Sequence, residues 1–310
     1  MGNAAARKRW LTLKSFAPLY LLTIPGLLYL LINNYLPMFG LVIAFKDVNF
    51  SKGIFASEWI GFKNFEYLFK SSDAYIITRN TILYNAVFIL LNLVVAVGVA
   101  ILLNEIKNKL MARFYQSVVL LPYLISMVIV SYLGYAFLSM DNGFMNKTVL
   151  PFLGVEGISW YNEPAYWPYI LTLVHTWKGA GFLCVVYLAA IIGIDQEYYE
   201  AATLDGASKW QQIRFITIPL ITPVIIMMTL LAIGRIFYSD FGLFYQVPMD
   251  SGSLFNATNV IDTYVYRGLM QLGDIGMSSA AGMYQSLVGF VLVLFSNYVV
   301  RKINRENALF

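Results

Sequence analysis

Charge is scarce in this chain. Only 12% of its 310 residues are Asp, Glu, Lys or Arg, 59% are hydrophobic and the mean hydropathy is +0.66. An ordinary soluble domain carries about 25% charged residues, so too few charges are present to coat a water-facing surface of this size. A soluble enzyme, a nucleic-acid binder and a disordered scaffold are therefore excluded. Cysteine and histidine are each present once, as Cys184 and His175. That rules out an intramolecular disulfide framework and any multi-His or multi-Cys metal site. Low-complexity segments and internal repeats are also missing, so the sequence gives no support to an inverted-repeat transporter. The apolar residues must face lipid.

A bilayer core about 30 Å thick takes roughly 20 residues of helix. Charge-poor stretches of that length predict six spans, at about 17–36, 80–104, 116–140, 166–192, 219–239 and 278–300. The expected fold is thus all-α, a single polytopic transmembrane domain over 1–310. The first apolar run is too long for a signal peptide and no small-residue cleavage site follows it, so it reads as a retained helix. Pro25 is expected to kink it.

Basic residues set the orientation. With a short N-terminal tail (1–15) inside, the inner segments hold 12 of the 21 Lys and Arg, from Arg7, Lys8, Arg9 and Lys14 to Arg301, Lys302 and Arg305, against 7 outside. Both termini are expected to be cytoplasmic. Lys178 and Arg235 fall inside spans; no acid does.

The inner loop at 193–218 carries the most information. Asp195 is placed to N-cap a short helix, and Gly206 to end it in the left-handed conformation. Ser208 through Gln211 forms a capping box for a second. The result is a helix–turn–helix bracket with a partly apolar, partly acidic surface. On shape alone, an amphipathic linker on the headgroups fits as well as a partner-docking element.

Within it, Glu200-Ala201-Ala202, three residues, Gly206, nine residues and Ile216-x-Ile218-Pro219 resemble the EAA loop of ABC-importer permeases, with Ile218 in place of the family's Leu. Pro37 through Asp47, Trp59 through Phe65, Ser279 through Gly282 and Val299 to Phe310 are similar to permeases for complex sugars. That group is the polysaccharide and aldouronate branch of the maltose-type carbohydrate importers. The resemblance implies a six-helix permease paired with a second, homologous permease subunit in a bacterial cell membrane. It further implies two cytoplasmic ATPase subunits that bind ATP and Mg, an extracytoplasmic solute-binding protein and a carbohydrate substrate. Glu200, Ala201, Ala202, Asp205, Gly206 and Pro219 become the ATPase-coupling residues. Glu200 offers a charge-assisted hydrogen bond, the alanines permit close approach, and Gly206 allows the turn. The chain lacks a Gly-x4-Gly-Lys-Ser/Thr phosphate loop, so no cofactor is expected on it and ATP hydrolysis is assigned to another polypeptide.

Sugars are held by aromatic faces and by amide or hydroxyl groups. Asn85, Asn92, Trp177, Lys178, Arg235, Tyr238, Tyr284 and Gln285 are the candidates in or near spans, each with a helix-packing role as its alternative. Lys178 reads either as a contact for a sugar hydroxyl or uronate, or as a structural lysine. The structural form would be a buried pair or a cap on carbonyls loosened by Gly179 and Gly181 in its own helix. Arg235 is placed to snorkel or to pair with Asp240. His175 reads as a hydrogen-bonded core residue, and Cys184 as a small apolar one.

Two other classes make distinct demands. A membrane-embedded glycan or lipid transferase needs clustered Asp, Glu or His at one face. An ion-coupled secondary transporter needs intramembrane acids or broken helices at the midplane. The acids are dispersed and absent from the predicted spans.

Overall fold

The computed structural model describes residues 16–303 and Ala308. The tail 1–15 and Arg305, which enter the charge count above, lie outside the described residues. Among the described residues five helices are long and apolar enough to cross a membrane: Ala17–Phe45, Asp73–Asn104, Pro164–Ile192, Lys209–Gly234 and Ile275–Lys302. A sixth crossing exists only as a bent pair, Lys109–Leu124 with Met127–Leu138, at 93° to one another. The third predicted span, 116–140, is therefore not one straight helix.

The first helix begins as α1, Ala17–Leu30, with Pro25 inside it, and no residue of α1 is buried. It runs on through a π-helical turn, Leu31–Tyr35, to Phe45. Three π turns occur among the described residues, and each ends two residues before a proline: Pro37, Pro151 and Pro219. In each, the residue preceding the proline donates to the carbonyl five back, as Ile218 does to Ile213. A proline ring clashes with the carbonyl four residues before it and offers no N–H, so the helix widens there by one residue.

Beyond Phe45 an antiparallel strand pair, β1 (Lys46–Asp47) and β2 (Glu58–Trp59), closes a hairpin. The amphipathic α2, Lys63–Lys70, follows. Phe45 stacks on Trp59 at 5.4 Å and meets Phe62 and Phe65. Next come α3 (Ser72–Asn104), N-capped by Ser71, then α4 (Lys109–Leu124), α5 (Met127–Leu138) and α6 (Trp167–Ile192). The bracket comprises α7, Gln196–Leu204, and α8, Lys209–Gln212. Through the π turn Ile213–Thr217, α8 continues without a break into α9, Ile218–Gly234. The second arm of the bracket is thus the start of the fifth span, and the loop proper ends at Ser208 rather than at 218. After it stand α10 (Phe241–Gln246), α11 (Ile261–Met270) and α12 (Ile275–Ile303).

Packing follows small residues. At Gly181 of α6 an added Cβ would lie 2.1 Å from the Val119 carbonyl of α4, so only glycine lets these two backbones meet. Around Cys184 the inner core is built from Ala96, Ala100, Tyr187, Leu188 and Ile221. The outer core centres on Trp167, Leu171, Leu243, Phe244 and Val260. The outer segment 250–270 is tied down by polar bonds: Arg267 pairs with Asp250 at 2.9 Å, donates to Asn259 at 2.8 Å and stacks on Phe255.

Candidate functional site: coupling bracket and pathway cavity

The bracket is a stiff object. Asp195 caps α7 by accepting the Glu197 N–H at 3.1 Å, and Ser208 with Gln211 forms the capping box on α8. Gly206 has φ +77°, and Ala207 N–H reaches back to the Ala202 carbonyl at 2.9 Å, the six-to-one bond of a Schellman ending. The arms are joined by Gln212 to Thr203 and by Tyr199 to Thr217, each at 2.9 Å. Lys209 pairs with Glu105 at the end of α3, 3.1 Å away. The bracket is therefore fixed rigidly to the start of α9. Glu200, Ala201, Asp205 and Gly206 are exposed, Ala202 is half-buried, and Pro219 is exposed at the second position of α9. At the tip Leu204 is 90% exposed, with Tyr198 and Trp210 also uncovered.

A second feature lies within the bundle. A cavity of about 290 Å³ opens between α3, α6 and α9. It gathers four of the eight pathway candidates, Asn85, Asn92, Arg235 and Tyr238, together with His175, Phe88 and Tyr187. Asn92 and His175 Nε2 lie 3.0 Å apart, and the His175 ring stacks on Phe88 with centroids 3.8 Å apart. The other four candidates lie elsewhere. Trp177 faces an apolar groove between α5 and α6, and Tyr284 lines an aromatic pocket beside α2. Gln285 is buried.

Lys178 is also outside the cavity. Its ammonium donates to the carbonyls of Pro122 (3.2 Å), Tyr123 (3.0 Å) and Ile125 (2.5 Å), all at the broken end of α4. The expectation that such a lysine would cap carbonyls loosened in its own helix is corrected: α6 is continuous from Trp167 to Ile192. The freed carbonyls belong to the third span, where helix gives way at Ile125 and Ser126 caps the next.

The cavity's outer wall is a second break. Helix α9 ends at Gly234 and α10 starts at Phe241, leaving 235–240 non-helical in place of the predicted helix to 239. Open backbone at membrane depth survives only when buried or lining a cavity, with partners for its polar groups. Asn85 donates to the Ile236 carbonyl at 2.9 Å and Gln285 to the Phe237 carbonyl at 2.8 Å. Asp262 accepts the Ser239 N–H at 2.7 Å. Asp240 caps α10 through Leu243 N–H at 3.1 Å and, among the described residues, makes no ion pair with Arg235. Asp262 was not among the sequence candidates; it stands in an outer segment with no motif around it.

A bundle of spanning helices, a stiff helical bracket continuous with one span and an internal cavity fit a membrane transport subunit. The chain belongs to the binding-protein-dependent transport system inner membrane component family, whose model matches residues 89–305. It is 36% identical to protein LplB of Bacillus subtilis over 98% of this chain and 92% of that one. To the polygalacturonan/rhamnogalacturonan transport system permease protein YteP of the same organism it is 36% identical over 93% and 89%. Among solved structures it resembles a chain of a bacterial ABC transporter involved in import of the acidic polysaccharide alginate. There the TM-score is 0.87 and the identity 33%, covering 96% of this chain and 99% of that one. A second structure of an alginate ABC transporter, in complex with an alginate pentasaccharide-bound periplasmic protein, matches with a TM-score of 0.86 and 33% identity, over 95% and 97%. The chain is a permease subunit of an ABC importer.

Proposed function

We propose that this subunit carries an acidic oligosaccharide, delivered by an extracytoplasmic binding protein, through the cavity between α3, α6 and α9. One observation carries this reading. The Arg235 guanidinium is exposed on the cavity wall and, among the described residues, makes no hydrogen bond or ion pair. A cation in a site walled by apolar side chains attracts a carboxylate strongly. Asn85, Asn92 and Tyr238 around it suit sugar hydroxyls. The polygalacturonan/rhamnogalacturonan permease and the alginate importer among its relatives support an acidic cargo.

In this reading a second permease subunit completes the pathway, against the first helix that buries almost nothing here (6% of its apolar window). Two ATPase subunits, holding ATP and Mg, seat on Glu200 to Gly206 with Leu204 at the tip. Both termini face the cytoplasm of a bacterial cell, and the plasma membrane is the site of action.

The test is uptake by the assembled complex with Arg235→Gln. Transport of a labelled uronate oligomer falls about tenfold or more, in keeping with the loss of a hydrogen bond to a charged group. A neutral oligomer of equal length, if carried, is unaffected. Equal loss for both, or none, overturns the reading.

A further inference from the structure

We propose that Asp262 is a positioning residue that transmits movement of the outer segment to the pathway wall, with α11 as the lever. The inference rests on the importer reading above and extends it to a residue in no known contact with substrate.

Asp262 sits in the first turn of α11, and its Oδ2 accepts both the Ser239 N–H at 2.7 Å and the Gln285 amide at 3.2 Å. Both partners anchor the 235–240 break, beside Asn85 on the Ile236 carbonyl: the first is its backbone, and the second also holds its Phe237 carbonyl. The carboxylate interacts electrostatically with Arg235 at the start of the break. One side chain of the outer segment thus grips the non-helical wall of the cavity.

The lever itself is rigid. Thr263 bonds Asn259 at 3.0 Å, Arg267 bonds Asn259 and Asp250, and Ile261 N–H is held by Thr81 at 3.1 Å. At the far end, Leu269 and Met270, with Leu272 just beyond, are exposed. Ten residues of α-helix span about 15 Å, so α11 connects an outer surface to the break as one body. The 235–240 segment keeps only short turn bonds, such as Tyr238 N–H to the Arg235 carbonyl at 2.8 Å, in place of an α-helical ladder, which makes it the more compliant element.

The complex of this subunit with its companion permease, ATPases and binding protein provides the test, read as the ratio of binding-protein-stimulated to basal ATP turnover per assembled complex. Asp262→Ala lowers that ratio about tenfold, within the range typical of coupling between sites, while basal turnover persists. Asp262→Asn, which keeps an oxygen for the Ser239 N–H, restores at least half of it. Should the alanine variant fail to assemble, Asp262→Ser, too short to reach both partners, is measured instead with the same expected loss. A residue that merely stabilises the fold would lower assembly and leave the ratio unchanged; that outcome overturns the proposal, as does equal loss of basal and stimulated turnover. A wild-type complex that shows no ATP turnover would overturn the importer reading itself, and the lever with it. Loss of uronate selectivity in Arg235→Gln with a normal stimulation ratio leaves the lever standing.

Discussion

The ammonium of Lys178 lies 2.5 Å from the carbonyl oxygen of Ile125, 53 residues earlier in the chain. With the Pro122 and Tyr123 carbonyls it closes the open end of α4, where the unsatisfied carbonyls carry the negative end of the helix dipole. A positive charge inside a span is costly to insert in lipid; here three oxygens offset that cost. The same contact holds the 93° bend of the third span.

Lys178→Met should therefore destabilise the subunit. The Pro122 carbonyl keeps the Ile125 N–H, but leaving the Tyr123 and Ile125 carbonyls without this donor costs about 1–3 kcal/mol, and the thermal midpoint of the purified complex is expected to fall. A midpoint equal to wild type would show that the bend is held without this lysine.

Two glycines only two residues apart, on different sides of α6, should differ sharply. Gly181→Ala places a methyl 2.1 Å from the Val119 backbone oxygen, whereas at Gly179 the nearest atoms are the Asn92 amide at 3.4 Å. Backbone cannot yield as a side chain can, so the first variant should lose assembly or several degrees of melting temperature. The second should cost far less. Equal melting temperatures would contradict the close α4–α6 crossing.

Gly206 is needed for its backbone conformation, φ +77°, since no atom lies within 4 Å of an added Cβ. Gly206→Ala should cost about 1–2 kcal/mol of strain. Gly206→Trp has room in the isolated subunit, so folding should survive beyond that strain. Uptake by the complex should not, because the indole would stand on the face proposed to seat the ATPase. Normal uptake by the tryptophan variant would argue against the coupling role.

Burial raises the Asp262 carboxyl above its ordinary 3.8, and its hydrogen bonds to Ser239 and Gln285 and the Arg235 charge only partly oppose this. The folded protein thus binds this proton more tightly than the unfolded chain. The associated stability is full at low pH and is lost as pH rises from 3.8 through the raised folded value. Melting curves across that window should show this limb, and Asp262→Asn should flatten it. An identical pH profile for the two would contradict the assignment.

Much of the bracket was legible in the sequence. Asp195, Gly206 and the Ser208–Gln211 box act within four residues of themselves, and local steric and hydrogen-bonding rules suffice for such features. The spans were legible too, because hydropathy counts residues in a contiguous window. The two breaks were not. A hydropathy window sees Ile125 and Arg235 as parts of apolar runs; Pro122 and Gly234 are hints at most, since Pro223 and Pro25 sit within continuous helix. A break persists in lipid only when distant groups satisfy its backbone, and those groups are Lys178, Asn85, Gln285 and Asp262. The roles of the amides were hidden for the same reason: Asn85 and Gln285 look alike in sequence, yet one lines the cavity and the other is buried behind it.

The amino-acid sequence determined that this chain is rich in membrane-length apolar helices and how the 195–211 bracket is capped, because scarcity of charge, apolar run length and helix caps are local properties. Tertiary structure alone decided where two spans open, which of two intramembrane cations is a structural cap and which faces the cavity, and that the Asp262 carboxylate reaches the cavity wall. The physical reason is that backbone hydrogen bonds lost in a low-dielectric environment must be replaced, and the replacements come from residues remote in the chain.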